Sequence, residues 1–329
     1  MLSIICPIYN EEKYIDGCIA SILAQDYPKD DLEVIFADGM STDKTRFIVS
    51  EYAKKYTWIR MIDNPRRIVP PALNSSIAES KGDVIIRLDA HASYPSNYFS
   101  ALVSAINCYN ADNVGAVCKT DVLNHTAKSE AIKTVLAHPL GVGNSPFRTG
   151  IDSAQEVDTV PFGCWRRSAF DRFGTFDERL IRNQDIEFNK RIHRGGGRIF
   201  IIPDTYSTYY ARETFSKLAK NNYGNGKWNI LTVWYTNQLN SLSVRHFIPL
   251  VFVLSILLPS FISLIWHPAI YVSLTSLLTY LLIVMLISAS ISIKNKKNWF
   301  YLVITFIVLH LSYGWGSLVA LLKLPFIKR

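Results

Sequence analysis

Apolar residues in the first third of the chain fall into short runs separated by longer amphipathic stretches. The runs cover residues 3–8, 32–37, 59–62 and 84–88. Runs of this length that are rich in β-branched residues are typical of strands buried on both faces of a sheet. After the first run, apolar residues recur at helical spacing from Ile15 to Leu23. This alternation predicts an α/β fold with a doubly wound, mostly parallel sheet.

The stretches between and after these strands carry helix signals. Ser41 or Asp43 can cap a helix over 45–55, and further helices are predicted over 71–80 and 127–137. Residues 141–158 contain glycines and a proline and have little periodicity. We interpret that stretch as a loop, which is either a functional lid or a surface excursion.

The last third of the chain has three long apolar stretches. No charged residue occurs between Arg245 and Lys294, or between Lys297 and Lys323. A membrane-spanning helix needs roughly 20 apolar residues to cross ~30 Å of hydrocarbon. The pattern predicts spans near 247–266, 269–293 and 299–322, with Pro268 breaking the turn between the first two. The alternative is a set of core helices in a soluble protein.

Charge divides the chain at nearly the same place. All 27 acidic residues lie at or before Glu213, whereas basic residues continue to the end of the chain. Basic residues beside apolar spans favour an anionic membrane surface as partner and argue against nucleic acid. We therefore predict a cytosolic domain over 1–213, an interfacial amphipathic segment over 214–246 with Trp228, Trp234 and Tyr235, and a transmembrane region over 247–329 with about three helices.

The amino terminus and the cysteines suggest where the front domain resides. The first residues become polar too early for a signal peptide, and the five cysteines show no metal-type spacing and no disulfide framework. We expect a multi-pass protein of the plasma membrane whose catalytic domain lies in the cytosol.

Polar side chains follow two of the predicted strands. Asp38 ends the second strand beside Gly39, where it could bind a ribose or base edge or simply cap the next turn. Asp89-Ala90-His91 ends the fourth strand, and residues i and i+2 of an extended segment point to the same side. Asp89 and His91 could therefore hold one divalent cation, although turn capping explains the triplet equally well. Ligands of open α/β sheets bind at such strand ends.

A later helix begins near Asp185, where the backbone N–H groups of the first turn stabilise a carboxylate. Asp185 could accept a proton or only cap the helix. Glu187 and Arg191, at i,i+4 spacing, are expected to form an exposed pair, and His138 and His193 are expected to be structural. The chain has neither Gly-x-Gly-x-x-Gly after its first strand nor Gly-x-x-x-x-Gly-Lys-Ser/Thr, which disfavours a dinucleotide-binding fold and an ATPase.

Taken in order, these motifs resemble a known family. The chain looks like a family 2 glycosyltransferase with the GT-A fold, and resembles the membrane-bound succinoglycan-type (ExoA-like) sugar transferases of exopolysaccharide synthesis. The motifs that carry the resemblance are Ile5-Cys6-Pro7-Ile8-Tyr9-Asn10-Glu11, Ala37-Asp38-Gly39-Met40-Ser41-Thr42-Asp43, Asn64-Pro65-Arg66-Arg67, Arg87-Leu88-Asp89-Ala90-His91-Ala92-Ser93-Tyr94-Pro95, Val160-Pro161-Phe162-Gly163-Cys164-Trp165-Arg166, Asn183-Gln184-Asp185 and Tyr223-Gly224-Asn225-Gly226-Lys227.

The resemblance implies roles for residues of these motifs. It implies a catalytic base at Asp185 and a metal site at Asp89 and His91. The implied nucleotide-sugar-binding residues are Pro7, Tyr9, Glu11, Asp38, Arg66, Asn74 and Asp89. The implied acceptor region comprises Phe162, Gly163, Trp165 and Gln184. Two departures from the family pattern matter: His91 stands where many relatives have aspartate, and the Gln-x-x-Arg-Trp motif of processive synthases is absent.

The implied function is an inverting, metal-dependent transfer of one sugar, a hexose, from a UDP-sugar to a lipid-linked saccharide acceptor. The expected cofactor is Mn²⁺ or Mg²⁺, and the expected partners are a polyprenyl diphosphate-linked acceptor and membrane lipids. Two alternatives are transfer to polyprenyl phosphate itself, and a non-catalytic subunit of a polysaccharide synthesis or export assembly.

Overall fold

The computed structural model describes residues 1–143 and 145–327. Four of its strands match the predicted ones within one residue at each end. The strands are β1 (Leu2–Ile8), β2 (Leu32–Asp38), β3 (Ile59–Asp63), β4 (Val84–Arg87), β5 (Ala92–Ser93), β6 (Asn113–Asp121), β7 (Gln155–Glu156), β8 (Cys164–Arg166) and β9 (Ile199–Tyr210).

The predicted helices are also present, within two residues at each end. Pro70 and Pro71 occupy the first turn of α3, where a missing N–H costs nothing. The helices are α1 (Ile15–Leu23), α2 (Thr45–Lys55), α3 (Val69–Glu79), α4 (Tyr98–Cys108), α5 (Ala127–Leu136), α6 (Pro139–Val142), α7 (Pro146–Thr149), α8 (Arg167–Phe173), α9 (Gln184–Arg194), α10 (Phe215–Thr236), α11 (Ile248–Ile262), α12 (Ala269–Asn295) and α13 (Trp299–Lys323). The stretch 141–158, which we predicted to be a loop, contains the short helix α7 and the two-residue strand β7.

The strands form a mixed sheet in the order β3-β2-β1-β4-β8-β6-β9-β5, with β7 also paired to β9. Strands β3, β2, β1 and β4 are parallel, whereas β8 runs antiparallel to both β4 and β6. The prediction of a mostly parallel sheet therefore holds for the first four strands only. The later strands do not continue the βα repeat, and antiparallel neighbours need no crossover helix.

Successive residues of the central strands contribute to two different cores. Ile4 and Ile86 lie in one buried cluster, and Ile5 and Ile85 lie in the other. Side chains alternate between the two faces of a strand, so both faces of β1 and β4 are covered. This double burial accounts for the uninterrupted apolar runs in the sequence.

By its internal contacts the chain forms two units. Unit 1 comprises residues 1–119 and 146–210, and unit 2 comprises residues 120–145 and 211–329. Helix α5 belongs to unit 2, although it precedes the boundary predicted at residue 213. Its Ala131 and Val135 pack in one buried cluster with Val284, Leu302 and Phe306 of α12 and α13.

Two helices of unit 2 are long and apolar enough to cross a membrane. They are α12 and the segment Trp299–Phe326, which begins with α13. The first predicted span is represented by α11, which has 15 residues. At ~1.5 Å per residue it is about 22 Å long, too short for ~30 Å of hydrocarbon. Within residues 1–143 and 145–327, two helices rather than the expected three are therefore long enough to span a membrane.

The predicted interfacial segment contains the 22-residue helix α10, which packs tightly against α13. A Cβ atom at Gly226 would lie 1.9 Å from the carbonyl oxygen of Tyr313, and one at Gly316 would lie 2.1 Å from that of Tyr223. Only glycine permits such an approach of two helix backbones. The two glycines therefore fix how α10 and α13 pack.

Candidate active site

A cavity of about 150 Å³ lies beyond the carboxyl ends of β1, β2 and β4 in unit 1. Five of the residues predicted to bind donor or metal line it. They are Pro7, Tyr9, Glu11, Asp89 and His91. The strand register explains this grouping, since Ile8 lies beside Asp38 and Ile5 lies beside Arg87. The parallel half of the sheet thus brings together motifs that are far apart in the sequence.

Asp38 is fully buried behind the cavity wall. Its Oδ2 lies 2.6 Å from Nη1 of Arg46, and its Oδ1 accepts a 2.5 Å hydrogen bond from Ser41. Arg46 also contacts Asp63 at 2.8 Å, and these two carboxylates, Asp63 foremost, raise the pKa of the guanidinium. Asp38 therefore organises the turn after β2, and its neighbours Ala37 and Gly39 form the cavity surface.

Arg87 is the buried cation of the cavity, with only 7% of its surface exposed. Its Nη2 donates to Oδ1 of Asp89 at 3.0 Å, while Nη1 has no hydrogen-bond acceptor within the described chain. Burial is the largest influence on its pKa and lowers it, but the attraction of Asp89 and then Asp185 raises the pKa overall. A buried guanidinium with one unused N–H pair is suited to an anionic ligand such as a phosphate group.

Asp89 and His91 both face the cavity. The Asp89 backbone N–H donates to the Tyr94 hydroxyl at 2.9 Å, and His91 Nδ1 lies 3.5 Å from Oε1 of Glu11. Among residues 1–143 and 145–327, no group of three or more His, Cys, Asp or Glu side chains is arranged to hold a metal ion. Two protein ligands nevertheless fit a cation whose remaining coordination comes from substrate phosphates and water, as is usual for Mg²⁺.

Asp185 lies in the first turn of α9, preceded by Asn183 in a left-handed conformation with φ 63°. Its Oδ1 accepts from the backbone N–H of Ile186 at 2.9 Å. It is half-buried and close enough to Arg87 to influence the guanidinium, so Arg87 has carboxylates from both β4 and α9 in its surroundings. The arrangement is compatible with a helix cap and with a proton acceptor.

Two predicted donor ligands are engaged elsewhere. Arg66 pairs with Glu178, and Asn74 donates to Glu178 at 3.0 Å and to the Phe176 carbonyl at 2.9 Å. These contacts connect α3 and the residues just before it to the segment 176–178. Asn64 and Arg67 line the cavity instead.

Three of the four predicted acceptor residues are buried, and the fourth is half-buried. Trp165 is 1% exposed and packs against Phe170 and Phe188, and Gln184 is 6% exposed. Gly163 has φ 33°, and a Cβ there would lie 2.1 Å from the Trp165 ring. Phe162 is half-buried and meets Tyr94 edge-on. Trp165 is thus a core residue in this structure, and its burial argues against direct contact with an acceptor.

Sequence reasoning missed Arg87, Arg67 and Asn64. Arg87 stands two residues before Asp89, so strand alternation could have placed both on one side. The pairing of Glu187 with Arg191 was predicted and is observed at 2.7 Å, but the expectation of exposure was wrong because the Glu187 side chain is 6% exposed. His138 caps α6 by accepting from the Leu140 N–H, which agrees with its predicted structural role.

Comparisons with known proteins place this site in context. The sequence model of glycosyl transferase family 2 matches residues 3–174, which include every residue lining the cavity. A dolichyl N-acetyl-α-D-glucosaminyl phosphate 3-β-D-2,3-diacetamido-2,3-dideoxy-β-D-glucuronosyltransferase of Methanococcus voltae is 32% identical over 72% of this chain and 76% of its own. The succinoglycan biosynthesis protein ExoA of Rhizobium meliloti (strain 1021) is 31% identical over 68% of this chain and 67% of its own.

Two solved structures are similar at low sequence identity. The mannosyltransferase PcManGT from Pyrobaculum calidifontis, in complex with GDP-Man and Mn²⁺, has a TM-score of 0.59 and 16% identity, covering 95% of this chain and 87% of its own. Residues 1–349 of S. aureus TarS, in complex with UDP, have a TM-score of 0.52 and 17% identity, covering 96% and 90%. At such identities the similarity is one of fold.

We expect Arg87→Gln to lower the free energy of unfolding by about 2–4 kcal/mol, because it leaves a largely buried carboxylate without its partner. The matched control is Lys54→Gln, which breaks the exposed 2.7 Å pair with Glu51 and should cost at most about 1 kcal/mol. Denaturant unfolding of both variants measures the difference. An equal loss of unfolding free energy in the two variants would show that the Arg87–Asp89 pair stabilises the fold no more than an exposed ion pair does.

Proposed function

This chain belongs to glycosyl transferase family 2 and has the GT-A fold, and from that premise we propose that it transfers a hexose from a UDP-sugar to a lipid-linked saccharide. It is a glycosyltransferase that acts in polysaccharide or glycolipid synthesis. The observation that carries the finer proposal is the cavity at the strand ends, where a buried guanidinium lies beside a carboxylate and an imidazole.

The donor proposal rests on the chemistry of the cavity. Arg87 and Arg67 offer positive charge for a diphosphate, and the surface at Ala37 and Gly39 accommodates a flat base. A Cβ at Gly39 would lie 3.1 Å from the Tyr9 ring, so glycine keeps this side of the cavity open. The solved neighbours contain UDP in one case and GDP-mannose in the other, which supports a nucleotide-sugar donor.

The acceptor proposal rests on the relatives and on unit 2. The Methanococcus voltae relative is named for transfer to a sugar phosphate of dolichol, which is a lipid-linked acceptor. Two apolar helices of unit 2 are long enough to cross a membrane. A membrane-bound acceptor of the polyprenyl diphosphate type is compatible with both observations.

We propose that transfer proceeds by direct displacement with inversion at the anomeric carbon. Asp185 takes the proton from the acceptor hydroxyl. At the same time the oxygen of that hydroxyl forms a bond to the anomeric carbon, and the bond between the anomeric carbon and the diphosphate breaks. Arg87 is attracted to the carboxylates of Asp89 and Asp185, and its guanidinium would attract the negative charge of the leaving diphosphate in the same way. A divalent cation held by Asp89 and His91 would add charge neutralisation at the same diphosphate.

The function is tested by a transfer assay with Asp185→Asn as the diagnostic variant. Full-length protein is incubated with a panel of UDP-sugars and a membrane lipid extract, and the lipids are analysed by mass spectrometry. Wild-type protein should add one hexose, and Asp185→Asn should be slower by about 10²–10⁴-fold because it cannot accept the proton. UDP affinity should persist.

The control for this assay is Asp171→Asn, which changes an exposed carboxylate on α8 in the same way. It should transfer at the wild-type rate. Near-normal transfer by Asp185→Asn would reduce Asp185 to a helix cap, and absence of sugar addition with every donor would contradict the proposed function.

Metal dependence is tested by calorimetry of UDP binding. UDP should bind more tightly with Mn²⁺ than with chelator, and more tightly with Mn²⁺ than with Mg²⁺ because His91 is a nitrogen ligand. His91→Ala should remove the preference for Mn²⁺. Equal UDP affinity with metal and with chelator would exclude a metal bridge between the protein and the diphosphate.

We propose further that the protein is multi-pass and that unit 1 is cytosolic. Lys294 lies in the last turn of α12, and Lys296 and Lys297 follow the helix; such a basic cluster favours the cytosolic side. Lys297 lies 2.5 Å from Glu130 of α5, and both residues belong to unit 2. That ion pair supports a common side for the end of α12 and the chain segment before α5.

In a cysteine-free background, a cysteine at position 296 should react with a membrane-impermeant maleimide only after the cells are permeabilised. A cysteine at position 267, in the turn before α12, should react in intact cells. The reverse labelling pattern would invert the proposed orientation.

A further inference from the structure

We propose that a second cavity, within unit 2, binds the diphosphate and the first isoprenoid units of the lipid-linked acceptor. This inference rests on the proposed function, and it assigns a binding site for the lipid part of the acceptor. The cavity measures about 240 Å³ and lies between α6, α11, α13 and the short turn Val244–His246.

Most of the cavity wall is apolar. Leu140, Ile248, Pro249 and Leu309 contribute hydrocarbon surface, and the wall residues with ionisable side chains are Arg245, His246, His310 and Tyr313. No acidic side chain is among the described residues that line it, and the sequence from 214 to 329 contains none. An apolar pocket with a cation and no carboxylate complements an amphiphile with an anionic head.

Hydrogen bonds between α6, α10, α12 and α13 hold the wall in place. His310 contacts the Leu140 carbonyl through Nε2 at 2.9 Å and the Tyr280 hydroxyl through Nδ1 at 3.1 Å. Asn229 donates to the Tyr313 hydroxyl at 2.5 Å and to the His246 carbonyl at 3.1 Å. These groups satisfy one another, so the cavity is preformed and Arg245 supplies its permanent charge.

The position of Arg245 is set by the backbone beside it. Gly143 has φ 67°, and a Cβ at that residue would lie 3.2 Å from both Cβ and Cδ of Arg245. Glycine therefore lets the chain after α6 turn closely over the stem of the arginine. The half-buried guanidinium is retained at the cavity while its stem packs against backbone.

The surface next to the cavity is strongly apolar and exposed. Val244, Ile248 and Val251 are 82%, 59% and 62% exposed, and they precede or begin the apolar helix α11. Exposed side chains of this kind beside apolar helices suit the hydrocarbon of a membrane. A lipid whose head reaches Arg245 would leave its tail on this surface. The occupant is a prenyl diphosphate and not a bulk phospholipid, because a cavity of about 240 Å³ has room for one hydrocarbon tail beside the head, whereas a phospholipid carries two.

The test is binding of tritiated farnesyl diphosphate to the full-length protein in detergent. Arg245→Gln should weaken binding about tenfold, the expected loss for one charge-assisted contact. Ile248→Glu should weaken it as well, and Ile248→Lys at the same exposed position should preserve or strengthen it. Arg212→Gln, an exposed arginine of unit 2 outside the cavity, is the matched control and should bind like wild type.

Binding of UDP should be unchanged in all four variants, which shows that unit 1 remains folded. Unaltered farnesyl diphosphate affinity in Arg245→Gln and Ile248→Glu would overturn the inference. So would equal competition by inorganic diphosphate, which has no tail, or by phosphatidylglycerol vesicles, which would indicate a bulk phospholipid site.

The two proposals can fail separately. If wild-type protein bound farnesyl diphosphate through Arg245 but transferred no sugar, only the proposed function would fail. If Arg245→Gln transferred sugar with a wild-type KM for the lipid acceptor, only the cavity assignment would fail.

Discussion

The structure of the active site depends on one buried cation. Arg87 ends β4 with 7% of its surface exposed, and a charge that is taken out of water must be compensated nearby. Asp89 compensates the charge by accepting a direct hydrogen bond, and Asp185 of α9 compensates it by electrostatic attraction. The need to neutralise one guanidinium therefore couples the end of a central strand to the start of a helix whose sequence lies far downstream.

The parallel half of the sheet was predictable because burial on both faces leaves a strong apolar pattern. Ile4 and Ile5 are adjacent in β1 and lie in different cores, so the sequence of the strand has no polar break. The three short strands of the antiparallel half were not predictable. Strands β5 and β7 have two residues each and β8 has three, which is too short for any periodicity to be detected. Their pairing depends on tertiary contacts.

The candidate site was predictable to a similar degree and for a similar reason. Residues directly after the long strands, such as Tyr9 and Asp89, do line the cavity, since parallel strands end at a common edge. Residues to which the resemblance gave a binding role, but which lie away from that edge of the sheet, do not line the cavity. Asn74 binds the 176–178 segment, and Trp165 lies in an aromatic cluster. Which side of a helix or turn faces a cavity is decided by packing that local sequence does not encode.

The division of unit 2 into two chain segments has a consequence for biosynthesis. Helix α5 is translated in the middle of unit 1, yet its partners Val284, Leu302 and Phe306 come from the last two long helices. The apolar face of α5 is not covered by these partners until about 170 further residues have been synthesised, as far as Phe306. Contacts between residues so distant in sequence form late in folding, and until they form the intermediates expose apolar surface that favours aggregation. Completion of the buried cluster around α5 therefore depends on the synthesis and packing of α12 and α13.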